Sequence, residues 1–170
     1  MAFITDNSSN VISFAEYQDV LDADQRLFEN NEGLTDDVIE ELLIKATGRI
    51  LTQIKYSDWW RDLYLATTLN PSFVNADDVP DVNPTLIIAR QSDFIDLCVF
   101  YAMYYYILPK IADFSKEDNA ERAKIGFYQA KYQLLFTELV NNGDWYDVNA
   151  DGNIAATEKR PGNFRLHRVR

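Results

Sequence analysis

Twelve residues without a charged side chain, Leu97 to Leu108 (LCVFYAMYYYIL), leave the remainder of the chain few options. A helix that is apolar all round offers no face to water, so the other elements must cover it, and it is expected at the centre of the fold. The run is shorter than the roughly 18 residues that suggest a membrane span. The helical pattern around it begins at about Leu86, and Pro109 is expected to kink or end the helix, because proline lacks the amide hydrogen and crowds the preceding turn.

The segments able to cover such a helix are also helical in pattern. Ser13 followed by Glu16 has the spacing of a capping box at the start of a first helix. Thr35, with Asp36 and Asp37 behind it, caps a second, in which Val38, Ile39, Leu42, Leu43, Ala46, Ile50, Leu51 and Ile54 recur at steps of three and four. Ser57 and Asp58 open a shorter helix that Asn70 and Pro71 stop. An exposed loop carrying Pro71, Pro80 and Pro84 among Asp and Asn residues should follow. Ser115 and Asp118 then cap a long helix that Asn142 and Gly143 end. The expected fold is all-α: a bundle of four to five helices over residues 1–143, a loop over 144–158 and an extended C-terminal arm over 159–170. Pro161 and Gly162 forbid further helix there.

Charge is divided unevenly along this layout. The chain carries −11 overall, but its last twelve residues hold five Lys/Arg and no acid, so residues 1–158 carry −16 and the arm +5. An acidic body of this kind does not grip nucleic acid. One cysteine, Cys98, excludes an internal disulfide, and its apolar neighbours mark it as a core residue. The N-terminal MAFITDNSSN has neither a basic region nor an apolar core, so no signal peptide is expected, and a soluble protein made inside a cell is.

The most specific motif lies between body and arm. DVNADGNIAATE, residues 147–158, follows the pattern of a calcium-binding loop: Asp147, Asn149, Asp151, the main chain of Asn153 and Glu158 fall at positions 1, 3, 5, 7 and 12, with Gly152 at the tight turn. Calcium (Ca2+) is a hard cation that takes six to eight oxygens, which these residues are of a kind to supply. Pro161 removes the helix that would leave the loop of a helix-loop-helix hand. The same residue types dominate ordinary turns, so the segment reads either as a structural calcium clamp at the root of the arm or as an Asx-rich turn.

Catalytic sets are poorly represented. His167 is the only histidine and lies in the arm, there is no glycine-rich phosphate loop, and a zinc site of Cys and His is impossible with this inventory. Asp77 with Asp78 and Asp93 with Asp96 are pairs able in principle to do acid and base work, but they read as loop and helix-face decoration. Trp59, Trp60 and the YAMYYY stretch read as packing residues before ligand platforms. No catalytic residue and no enzymatic activity is expected.

Three stretches carry a resemblance: DADQRLFENNEGLTDDVIEELLIKATGRI, ARQSDFIDLCVFYAMYYYILPKIADFSKED and the ending GDWYDVNADGNIAATEKRPGNFRLHRVR. From about Asp22 to Arg170 the chain resembles the head-to-tail connector proteins of tailed bacteriophages, also called adaptor or head-completion proteins. The resemblance implies a helical subunit of a ring of about a dozen copies, closed by cyclic symmetry, in the virion neck between portal and tail. It implies assembly from the host cytoplasm after genome packaging, with portal and tail or neck proteins as partners and passing DNA met without sequence recognition. The arm, through Arg160, Phe164, Arg165, Leu166, Arg168, Val169 and Arg170, would then bind a partner. The calcium-like loop is not part of what such a connector requires. A calcium-binding regulatory or interaction module is the alternative expectation.

Overall fold

The apolar run does fold as the central helix. Helix α4 (Gln91–Ala102) passes through one wide π-helical turn (Met103–Ile107) into the short helix α5 (Leu108–Ile111). Helices α1 (Tyr17–Ala23), α2 (Asp36–Lys55) and α6 (Ala120–Asn142) all contact α4, and α3 (Asp58–Thr67) packs on α2. The computed structural model describes residues 3–27, 33–67, 79–115, 120–156 and 158–159, and over these the chain is mainly α-helical. By length and composition the stretch Gln91–Ile111 would suffice to cross a membrane; in this fold Phe94, Leu97, Cys98, Ala102 and Met103 are fully buried between the neighbouring helices.

Several local expectations need correction. The N-terminus is a short antiparallel hairpin, β1 (Ile4–Thr5) with β2 (Val11–Ser13), so the chain is not purely helical. Its turn is made by Asp6, whose carboxylate accepts the amides of Ser8 at 2.8 Å and Asn10 at 2.9 Å, the local bonding by which Asp favours turns over helix. Ser13 therefore ends a strand. The capping box sits one turn later, on Glu16 and Asp19, and α1 starts at Tyr17. Thr35 does occupy the position before α2, but its hydroxyl makes no capping bond. Ser57 behaves as expected, accepting the amide of Trp60 at 3.3 Å. The central helix starts at Gln91 and not near Leu86, because Pro84–Leu86 form a 3₁₀ turn and Ile87 is drawn into a strand-like bridge with Tyr146.

The proline-rich loop is not wholly an excursion. Val79 and Val82 are buried, and Pro80 accepts a bond from the indole of Trp60 at 2.8 Å. Residues 68–78, which include Asn70, Pro71, Asp77 and Asp78, and residue Asp118 lie outside the described residues. Pro109 does not end the central helix at once. In a regular helix its ring would crowd the carbonyl of Tyr105. In the widened turn Leu108 donates to Met103, five residues back, and the helix continues to Ile111.

Packing is dominated by rings. Phe3 meets Phe14 with ring centres 4.7 Å apart, Phe14 meets Phe94 at 5.4 Å, Phe94 meets Trp145 at 4.9 Å, and Trp145 meets Trp59 at 4.5 Å. Trp60 and Tyr146 close the series edge to face at 5.1 Å. This one series joins the hairpin, α4, the segment after α6, and α3. The α2 stripe faces the same core: Ile39, Leu42, Leu43, Ala46, Ile50 and Ile54 are buried, while Val38 and Leu51 are half-buried. Cys98 is fully buried beside the Thr47 hydroxyl at 3.4 Å, and Thr47 in turn accepts the amide of Phe14 at 3.0 Å, tying the hairpin to α2.

Replacing Trp145 with alanine should cost about 3–5 kcal/mol, the range for removing a large buried aromatic side chain, as read by urea denaturation; a loss below about 1 kcal/mol would contradict its place in the core. Burial pushes the Cys98 thiol from its ordinary 9.0 up to about 12. The native thiol should therefore resist a thiol reagent at pH 8 and react once denaturant is added. Since an unfolded thiol ionises well before the folded one, this group makes stability fall as pH rises from 9 toward 12. Native labelling as fast as denatured labelling would sink the assignment.

Candidate functional site

The calcium-like loop hangs from a fixed base. Gly143, at φ 58°, turns the chain out of α6 with its amide bonded to Leu139 at 3.0 Å, the conformation for which glycine is preferred after a helix. Two residues on, the indole of Trp145 donates to the same carbonyl at 2.8 Å. The backbone of 145–147 then pairs with 86–88: Ile88 donates to Trp145 at 3.2 Å and Asp147 to Leu86 at 2.9 Å. Beside this pairing Arg90 bonds Asp93 at 2.6 Å and Glu138 at 2.5 Å and lies 3.5 Å from Asp144. Arg90 is itself left-handed, at φ 54°, an unfavourable conformation for a residue with a Cβ. Three carboxylates around its guanidinium offset that cost and lock the start of α4 to the end of α6.

The loop itself turns two of its three carboxylates inward. Asp147, only 2% exposed, accepts the amide of Gly152 at 2.7 Å and of Asp151 at 3.3 Å. Asn149 accepts Asp151 at 2.9 Å, and Asp151 accepts Asn153 at 2.8 Å. Glu158, 7% exposed, accepts Ala155 at 2.6 Å and reaches back to the amide of Asn149 at 3.2 Å, closing the loop on itself. Gly152 at φ 84° and Ala150 at φ 58° supply the two left-handed steps that make the ring possible. Among the described residues neither Asp147 nor Glu158 has a Lys or Arg partner. Burial of a carboxylate is costly unless its charge is compensated, and backbone amides are the compensation seen here.

Asp147, Asn149, Asp151, Asn153 and Glu158 are thus brought onto one closed loop, and all are oxygen donors of the kind calcium takes. Each amide occupies one lone pair, so an oxygen with two can still face a cation. The side chains have not converged into a cage: among the described residues no group of three or more His, Cys, Asp or Glu stands within reach of a common metal ion. The likeness to a helix-loop-helix hand is also weaker than the motif suggests. The described residues after Glu158 are not helical, and α6 ends at Asn142, five residues before Asp147. The loop is entered from an extended segment.

The remaining sequence candidates separate in space. Asp93 is engaged by Arg90, Cys98 is inert in the core, and Trp59 and Trp60 pack against Trp145 and Tyr146. Of YAMYYY, Tyr101 is buried among Tyr104, Tyr105 and Tyr132, and burial pushes the hydroxyl of Tyr104 up to about 12. Asp96 stands apart from Asp93's ion pair, at a groove toward α1. The whole binding set Arg160, Phe164, Arg165, Leu166, Arg168, Val169 and Arg170, and His167, lies outside the described residues. Sequence reasoning missed the outer face of α6, where Phe127 is 54% and Leu134 74% exposed. Its signal was present: in KYQLLFTELV three apolar residues in succession, Leu134 to Phe136, cannot all face one side of a helix.

No protein-family model, no curated protein and no solved structure matches this chain.

Truncating the buried Asp147 carboxylate removes the acceptor of two amides of a turn that is itself exposed, so Asp147→Ala should cost about 1 kcal/mol, the net worth of the bonds it makes. Asp151→Ala, at an exposed position, should stay within about 0.5 kcal/mol. Urea denaturation of the two variants in metal-free buffer is the comparison, and equal losses would show that the loop is not built on Asp147.

Proposed function

We propose that this chain is a structural ring subunit of the neck of a tailed bacteriophage, seated between portal and tail, completing the head and offering a DNA conduit and a tail attachment surface. Residues 1–143 would act as a helical bundle and 159–170 as a basic extended arm toward portal or tail. Before assembly the subunit would reside in the host cytoplasm. The resemblance to head-to-tail connectors is the source of the phage assignment.

The observation that supports assembly is the outer face of α6. Ala123, Phe127, Ala130, Leu134 and Thr137 follow one another at steps of four and three, and all five are exposed. Large and small residues alternate along this stripe, the arrangement by which one helix seats its knobs in the gaps of another. Phe127 and Leu134, two turns apart on an exposed helix face, offer apolar surface for a partner to cover. An acidic body suits a conduit, since like charge disfavours contacts to phosphate. Weak contacts repeated round a ring accumulate.

Within this reading Asp147, Asn149, Asp151, the main chain of Asn153 and Glu158 would hold a structural calcium, fixing where the chain leaves the body. Two buried carboxylates without a cationic partner among the described residues favour it, and they equally favour the second reading, a calcium-binding interaction module.

Native mass measurements on the full chain, alone and mixed with a portal ring, with calcium and with chelator, test these readings. Addition of many copies to the portal is expected, with Leu134→Asp weakening it about tenfold or more while leaving stability within about 0.5 kcal/mol. A chain that ignores every portal tried, or a Leu134→Asp variant that assembles normally, would remove the ring reading. Calcium-dependent partner binding by a persistent monomer would replace it with the second.

A further inference from the structure

A groove of about 570 Å³ opens between α1, α4 and α6. Asp19 and Asp22 of α1 and Asp96 of α4 line it, with Phe100 and Phe127 as aromatic walls. The lining also contains one ammonium, that of Lys131, poised over both rings at once, 5.1 Å from the centre of Phe100 and 4.7 Å from that of Phe127. Ring faces attract cations, and a pair of them beside carboxylates forms a site for an ammonium or guanidinium. Lys131 is an exposed residue and acts as an internal stand-in for such a group.

The carboxylates outnumber the cations of the lining. Three of them against one ammonium leave the lining at −2. Asp19 is held by the amide of Glu16 at 2.8 Å and Asp22 by the side chain of Gln18 at 2.7 Å, both neutral donors. Burial, with Asp93 and Asp19 adding to it, holds the Asp96 carboxyl above its ordinary value, and Lys131 offsets only part of this. A further cation beside Asp96 would favour its ionised form.

We infer that this groove receives the Lys/Arg-rich C-terminal sequence, residues 159–170, of a second copy of this chain. Charge complementarity selects that occupant: the sequence carries five Lys/Arg and no acid, whereas residues 1–158 carry −16. Its Phe164, Leu166 and Val169, interspersed with arginines, match a groove lined by both carboxylates and aromatic rings. A cavity of this size has room for a few side chains, so it anchors part of the sequence. The choice of a second copy over the same chain rests on the proposed ring.

The test uses the full chain with Lys159, Arg160, Arg165, Arg168 and Arg170 all changed to Gln, so that its own sequence does not compete. A fluorescent synthetic peptide of residues 159–170 is titrated into it and followed by anisotropy. Saturable binding is expected, weakened about tenfold by Asp22→Asn combined with Asp96→Asn, and strengthened by Lys131→Gln, which removes the resident cation. No binding, or binding indifferent to both groove changes, overturns the inference. The Asn substitutions are isosteric, and circular dichroism checks that the variants fold. Cross-linking of the neutralised chain mixed with the unaltered one should join the groove of the former to residues 159–170 of the latter; links confined to single chains overturn the assignment to a second copy. Peptide binding is read on the chain without any portal, so a monomer that binds peptide but forms no ring would count against the ring reading alone.

Discussion

Everything near the C-terminal side of this fold depends on where Trp145 is placed. Its ring lies between Phe94 and Trp59, its indole nitrogen caps a carbonyl of α6, and its own carbonyl receives amides from Ile88 and Ala89. A loop of twelve residues rich in Asp, Asn and Gly has little apolar surface of its own, and loop closure alone would leave it free to reorient. With Trp145 seated and Asp147 bonded to Leu86, the first carboxylate of the loop is set by the core and not by the loop. Arg90 adds an electrostatic brace on the same side, and the three ion pairs it makes there work against the cost of its left-handed backbone. The order of dependence is therefore aromatic packing first, backbone pairing second and loop geometry last.

The same dependence separates the features that could be seen in the sequence from those that could not. The stripe on α2 and the apolar run of α4 were legible because burial repeats at the helical period, and the two helices lie where that period puts them. The end of α6 at Gly143 and a turn-rich segment over 147–158 were legible through residue types that turns favour. The hairpin at 4–13 was not, since its signal is one Asp bonding two amides, without any apolar alternation long enough to notice. The shift of the capping box from Ser13 to Glu16 has the same origin: two overlapping spacings fit equally well, and the strand claimed Ser13. The pairing of 86–88 with 145–147 was hidden because it joins residues nearly sixty positions apart and involves backbone atoms, which all sequences share. For the groove, Asp96 read as helix-face decoration, and its nearness to Asp19 and Asp22 follows only from the convergence of three helices.

Electrostatics and packing also divide the surface into different kinds of territory. On α6 the inner side is occupied by Tyr128, Tyr132 and Leu139, and the outer side still carries Phe127 and Leu134. A helix with apolar groups on both sides packs one of them against this chain and leaves the other open, the surface on which the ring proposal rests. Phe127 is shared with the acidic groove beside it, where carboxylates join the rings as lining.

The wide turn at Met103–Ile107 bears on how the chain can change length over evolutionary time. Each residue added to or removed from an α-helix rotates the rest of the helix by about 100°. Loops absorb an insertion, but the central helix cannot. Deleting one residue from this turn would restore regular hydrogen bonding and at the same time swing Leu108 and Ile111 away from the positions at which they meet the core. It would also return the ring of Pro109 to the carbonyl it now avoids. The turn is accordingly a phase correction, and length variation in descendants of this chain should be found in the segments between helices and be absent from residues 91–111.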